Sequence, residues 1–375
     1  MVKYKKYFFC VLSTLIVLPI FININGIYNE VRILSNQISI FLKPIPINFY
    51  IVLIYSIFFI YKNRYDELVK KYLLFILIFA LIFLLNILFF GFNASRTIYF
   101  FQCLLPSLGI IFGYYFFTKK NIKLFILITK ISIFCFIILQ IIITLSSKLI
   151  VLRANMGLFT VYQNIQYVSS VFVFLILFIL VLEENYTSNI EKLFSLLISL
   201  IYSVLSTNIS TLLIWITGVF IYLLFSKKTK FLLFFPIIYL VLFSFSKLDL
   251  NNFSSKYQHD WSFRTKQLND ILTFKIPQNL KERFVIYEDY LTEEKKFINY
   301  VIGSNKINLM KKHRSSHNIF IDYFYLFGIF PCIILSYILI RYFLKSLNSS
   351  DKFFFLFLIF LIFLFFENMF KVSLR

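Results

Sequence analysis

Residues 72–92 read YLLFILIFALIFLLNILFFGF, and this stretch decides the fold class. It carries no charged side chain. At 1.5 Å per helical residue it is long enough to cross a hydrocarbon core of about 30 Å. Runs of the same kind recur along the chain, at 7–24, 45–61, 98–117, 122–145, 167–182, 193–206, 209–225, 231–246, 318–343 and 353–370. Such a sequence predicts an all-α, polytopic helical membrane protein of about 11 transmembrane helices. The composition agrees: 60% of the 375 residues are hydrophobic and 15% are charged. A soluble domain carries about 25% charge.

The charges fall between the apolar runs, and their distribution predicts an orientation. With the N-terminus on the cytoplasmic side, the inside segments hold 17 lysines and arginines, among them Lys3, Lys70, Lys119 and Lys228. The short outside segments hold 7: Arg32, Lys43, Arg96, Lys148, Arg153, Lys371 and Arg375. Cytoplasmic loops are the ones enriched in Lys and Arg, so the N-terminus is expected inside. The basic N-terminus followed by an apolar run resembles a signal peptide. No small-residue cleavage site follows it, so it is read as an uncleaved first span. The net charge of +21 does not gather into one basic face, which argues against nucleic acid as a partner. Cys10, Cys103, Cys135 and Cys332 lie far apart inside apolar runs and have no metal-ligand spacing. No metal and no cofactor are expected.

Three parts follow: transmembrane helices 1–9 over residues 1–246, one long extracytoplasmic loop over 247–316, and helices 10–11 over 317–375. The loop is net basic, with 13 Lys/Arg against 8 Asp/Glu. Its stretch 279–300 interleaves charges with Phe284, Tyr287, Tyr290, Leu291 and Phe297. This reads as a helix lying on the membrane surface or capping a cavity. Seventy residues make too small a core for an independent enzyme domain, so the loop is expected to work together with the membrane helices. Phosphate-binding Gly-rich loops and the HExxH zinc motif are absent from the sequence. The inside loops are too short to seat a nucleotide-dependent domain. An enzyme built this way would act on the outer face.

Chemistry-bearing side chains concentrate where the long loop enters the run 318–343. His317 and Asn318 stand at that edge, with Asp322 one helical turn on. Asn318 suits a helix N-cap, and His317 suits a general base or a hydrogen-bond partner for a sugar hydroxyl. Arg283, in the loop, offers a fork of donors suited to a diphosphate, where a surface charge is the plainer alternative. Arg96 and Arg153 lie in short outer loops, where single arginines commonly anchor to headgroups.

Three segments carry a family resemblance. They are Lys281-Glu282-Arg283-Phe284-Val285-Ile286-Tyr287, then Tyr300-Val301-Ile302-Gly303-Ser304-Asn305, then Ser316-His317-Asn318-Ile319-Phe320-Ile321-Asp322-Tyr323 running on to Phe327-Gly328-Ile329. In order and placement they resemble the C-terminal signature of the O-antigen polymerase and ligase superfamily. That signature is an arginine with an aromatic one turn later, a glycine turn, and His-Asn opening a helix with a glycine near its middle. Arg153 to Asn164 resembles a second patch of that family. Two departures stand out. The stretch Ser206-Thr207-Asn208-Ile209-Ser210 lacks the arginine the family often has there, and Tyr287 stands where tryptophan is common.

The resemblance implies a polysaccharide repeat-unit polymerase in the inner (cytoplasmic) membrane. Its substrate would be an undecaprenyl-diphosphate-linked oligosaccharide, and a chain-length regulator and a flippase of the same pathway would be partners. His317 and Arg283 would be catalytic. Arg153, Arg96, Asn318, Asp322 and Tyr287 would bind the diphosphate or the acceptor. A ligase that transfers the glycan to lipid A core or protein uses similar motifs. A flippase is the alternative outside enzymes, but it would favour charges deep among the helices, where Lys130 is the clear case.

Overall fold

The computed structural model describes residues 2–21, 47–92, 107–117, 119–147, 165–205, 209–227, 266–292, 297–304, 318–348 and 350–370, with isolated positions within 97–104 and 236–243. These residues are all-helical, with no strand among them. In chain order the helices are α1 (Val2–Phe21), α2 (Ile47–Lys62), α3 (Glu67–Phe90), α4 (Leu108–Phe116), α5 (Lys119–Ser147), α6 (Ile165–Leu182), α7 (Asn189–Leu205) and α8 (Ile209–Phe225). They continue as α9 (Gln278–Thr292), α10 (Phe297–Ile302), α11 (Ile319–Phe327), α12 (Ile329–Leu347) and α13 (Asp351–Phe370).

Among the described residues, three stretches are helical, long and apolar enough to cross a membrane: Glu67–Phe90, Asn121–Ile138 and Ile329–Leu347. Shorter apolar helical stretches are Tyr7–Val17, Tyr50–Lys62, Ser169–Leu182 and Ser210–Phe225.

Several helices bury small polar side chains while turning large apolar ones outward. On α7 the buried side chains are Lys192, Ser199, Tyr202 and Ser203, while Leu193, Phe194, Leu197 and Ile201 are exposed. The spacing of three and four puts the small polar residues on one helix face. That face meets α8, where the indole Nε1 of buried Trp215 donates to Ser199 Oγ at 2.9 Å. Ser13 on α1 is likewise fully buried while Phe8 and Val11 are more than half exposed. Small residues let helix backbones approach closely, and apolar side chains facing outward are stable where the surroundings are themselves apolar.

The chain forms two compact units. The first comprises residues 1–76 and 101–172. In it α1 packs on α5 and α2, and α2 packs on α4. Phe9, Phe112 and Phe116 form its aromatic centre, with Phe9 and Phe116 rings stacked at 4.5 Å. Ser56 Oγ on α2 donates to the Leu108 carbonyl at 3.0 Å, so a serine fastens the start of α4.

The second unit comprises residues 77–100 and 173–375. Its framework is α8 against α13 and α7, α12 against α13, and α11 against α12. At the turn between α6 and α7, Lys192 Nζ pairs with Glu184 Oε1 at 2.8 Å and donates to the Glu184 carbonyl at 2.6 Å. The Tyr222 hydroxyl donates to the other oxygen of the same carboxylate, and Lys352 Nζ donates to the Leu182 carbonyl. One carboxylate and two lysines thus tie the α6–α7 turn, α8 and α13 together. A charge pair this deep persists because each partner is satisfied by hydrogen bonds.

The run 318–343, read from sequence as one span, is two helices. Gly328, with φ +79°, ends α11 and precedes α12. Only a residue without Cβ adopts that backbone without strain. In the stretch 279–300 the described residues belong to α9 and α10, and 293–296 lie outside them. Of the run 231–246, only Pro236, Tyr239, Leu240 and Phe243 are among the described residues.

Candidate functional site

Two short helices of the second unit, α9 and α11, build the site by facing each other with matched stripes. The α9 stripe is Arg283, Tyr287 and Tyr290, and the α11 stripe is Asn318, Asp322 and Tyr325. Each has the spacing i, i+4, i+7, which places its members on one helix face. Near the start of α11 the Tyr287 hydroxyl is hydrogen-bonded to both Arg283 and Asn318, with the Asp322 charge close by. Two turns along, the Tyr290 and Tyr325 rings meet edge to face at 4.8 Å, and both are almost fully buried. Because 287 pairs with 318 and 290 pairs with 325, the helices run in the same sense. An aromatic pair seals one end and a polar quartet occupies the other.

Asn318 does two jobs there. Its side-chain Oδ1 accepts from the backbone N–H of Phe320 at 3.0 Å and of Ile321 at 3.4 Å, capping α11. That satisfies two of the donors a helix start leaves without partners. The amide nitrogen remains for the Tyr287 hydroxyl. Asp322, in the first turn of α11, is 3% exposed. A carboxylate so placed is favoured by the positive end of the helix dipole.

Burial pushes the Tyr287 phenol above its usual value of 10.0. The Arg283 charge and the hydrogen bonds from Arg283 and Asn318 partly oppose this, and the Asp322 charge adds to it. Tyr287 is therefore a neutral hydroxyl across the physiological range. It can pass a hydrogen bond on, with its oxygen held by the arginine and the asparagine.

The floor of the site is a backbone-to-backbone lock. Gly303 follows α10 with φ +91°, and a Cβ on it would lie 2.2 Å from the Leu326 carbonyl oxygen. A Cβ on Gly328 would lie 2.1 Å from the Val301 carbonyl oxygen. The two glycines serve one close approach of two helix ends. The Ser304 N–H donates to the Tyr325 carbonyl at 2.7 Å, supplying a partner to a carbonyl at the end of α11. From α3, Asn86 Nδ2 donates to the Ile302 carbonyl at 2.6 Å, and Asn86 is fully buried. Phe79, Phe100 and Phe327 pack beside it, with Phe79 and Phe327 rings 5.2 Å apart.

Of the residues singled out from sequence, Arg283, Tyr287, Asn318 and Asp322 come together. His317, Arg153 and Arg96 lie outside the described residues, as does the stretch 206–208. Asn86, Tyr290, Ser304 and Tyr325 are participants the sequence reading missed. Asn86 had a visible signal, since it is the one amide in the otherwise apolar run 72–92. Tyr290 and Tyr325 gave none, because tyrosine is abundant throughout, with 25 in the chain. Among the described residues no group of three or more His, Cys, Asp or Glu side chains is placed to hold a metal. Searches with the sequence and the structure match no protein-family model, no curated protein and no solved structure.

Proposed function

We propose that the chain is a membrane glycosyltransferase that lengthens a polysaccharide on its lipid carrier. It would move a glycan from undecaprenyl diphosphate to a sugar hydroxyl of a second lipid-linked repeat unit. The convergence of Arg283, Tyr287, Asn318 and Asp322 on facing helices carries this reading, because these are the residues on which the resemblance to the O-antigen polymerases rests. Its setting is a bundle of about 11 spans in the cytoplasmic membrane, with the N-terminus inside and the stretch 247–316 outside. The outward apolar face and buried serines of α7 and the Lys/Arg split support that setting.

The chemistry follows from the leaving group. As the bond between the anomeric carbon and the diphosphate oxygen breaks, its electron pair stays with that oxygen and negative charge builds. A guanidinium fixed beforehand stabilises this charge where it develops, and water-poor surroundings enlarge the effect. Arg283 is held for that role by Tyr287, and Arg153 and Arg96 would serve beside it. The acceptor hydroxyl forms the new bond to the anomeric carbon and gives its proton to neutral His317. Asn318 and Asp322 would orient the acceptor. The diphosphate bond supplies the free energy, so no nucleotide is needed. Cells lacking this protein should accumulate single repeat units on the lipid carrier and lose long polymer. Normal polymer in such cells would remove the assignment.

A further inference from the structure

A polar side chain from elsewhere in the sequence reaches the locked pair of helix ends beneath the site. Asn86 lies 216 positions before Ile302 and is fully buried on α3, which is otherwise apolar at this level. Its amide reaches the carbonyl of the last α10 residue. The next two residues are Gly303, in backbone contact with Leu326, and Ser304, bonded to the Tyr325 carbonyl. Tyr325 in turn packs on Tyr290, one turn of α9 beyond Tyr287. A chain of direct contacts therefore runs from Asn86 to the pair Arg283–Tyr287.

We infer that Asn86 is a positioning residue that sets the depth and register of α10 and α11 against α3, and through them the facing of Tyr287 on Asn318. The physical reason is the cost of the alternative. A sliding of α10 by part of a turn would leave a buried amide and a buried carbonyl without each other, in surroundings that offer no water to replace the bond. Apolar packing alone resists sliding weakly, since one leucine replaces another. A single directed hydrogen bond among apolar side chains fixes register, as buried amides do in coiled coils. The inference rests on the proposed transferase reading only for what the register serves.

The test separates these two layers. In the full-length protein in lipid nanodiscs, amide hydrogen exchange is followed over 300–304 and 319–328, with α1 and α8 as remote references. Asn86→Leu removes the donor and keeps the apolar volume. Exchange over 300–304 and 319–328 should speed up about tenfold or more, with the references unchanged. Asn86→Gln keeps the amide and should restore most of the protection. In the lengthening assay Asn86→Leu should lower turnover by a similar factor at unchanged KM, and Asn86→Gln should recover it. If Asn86→Leu fails to accumulate, Asn86→Ser, whose hydroxyl is too short to reach the carbonyl, replaces it. Unchanged exchange, or an equal rise over α1 and α8, would overturn the inference. The expected exchange pattern in a wild-type protein that lengthens nothing would sustain the positioning and sink the transferase reading.

Discussion

In the proposed transferase Arg283 is the residue on which the chemistry turns, and its geometry makes it testable apart from its charge. Arg283→Lys keeps the positive charge but loses the planar fork that can hold Tyr287 and a phosphate oxygen together. Chain lengthening should fall steeply at normal protein level, read as the length distribution of lipid-linked polymer. Full-length polymer from this variant would reduce Arg283 to a surface charge. Tyr287→Phe removes the hydroxyl shared by Arg283 and Asn318. The loss is that of about one charge-assisted hydrogen bond, roughly 1.5–3 kcal/mol, or a tenfold to hundredfold drop in rate. The phenol's raised pKa also fixes a direction with pH. The folded state favours the neutral hydroxyl, so Tyr287 contributes to stability below pH 10 and loses that contribution as pH rises through its elevated value. The alkaline loss of thermal stability should therefore be smaller in Tyr287→Phe. At His317, Ala should abolish polymer while single repeats accumulate. Gln should keep some activity if the imidazole only orients the acceptor, and almost none if it takes the proton, since general base catalysis contributes roughly 10²–10⁴-fold. His313→Ala is the control and should change little. The sequence made Arg283 and Asn318 legible because a guanidinium and a helix cap are chemically distinctive beside long apolar runs. It left Tyr290 and Tyr325 hidden because their role lies in meeting each other, and pairing across helices has no sequence period.

The elements around the site are short, and their ends matter more than their lengths. From the sequence, 318–343 reads as one span because its only charged residues, Asp322 and Arg341, stand near its two ends. Hydropathy does not register a backbone turn at Gly328. What the glycine demands is visible only when Val301 lies against it. Gly328→Ala places a methyl 2.1 Å from a backbone carbonyl that cannot rotate away, on top of a left-handed φ. Gly91 at the end of α3 supplies the comparison, with φ +78° and nothing within 4 Å of the added carbon. Gly91→Ala should cost only the left-handed strain, about 1–2 kcal/mol. Gly303→Ala and Gly328→Ala should cost several times more and leave little folded protein. Melting in detergent by intrinsic fluorescence measures all three, and equal melting temperatures for Gly91→Ala and Gly328→Ala would contradict the backbone lock. Most helix positions were legible, as α3, α5, α8 and α13 show, because their apolar runs are long and bounded by charge or glycine. The boundary between α11 and α12 was not, because one residue's φ decides it.

For the whole molecule, orientation and activity are one question. The 17 to 7 division of Lys and Arg predicts that Lys228 faces the cytoplasm and that Lys266, in the stretch holding α9, lies outside. Reporter fusions at these two positions should give opposite signals, and a cytoplasmic signal from Lys266 would put the site on the wrong side of the membrane. The Glu184–Lys192 pair belongs to the same question, since its buried lysine counts as an inside charge yet is already neutralised by its partner. The all-helical, apolar character of the chain was the most legible feature, because it is written in composition. Its site was legible only in part, since side chains from α3, α9 and α11 meet across more than two hundred residues. The most direct measurement is lengthening itself. Purified protein in proteoliposomes, given undecaprenyl-diphosphate-linked repeat units and neither nucleotide nor ion gradient, should produce a ladder of longer lipid-linked glycans. The Arg283→Lys protein, folded to the same extent, should leave the single repeats as they were. No ladder from the wild-type protein, or the same ladder from both, would contradict the account.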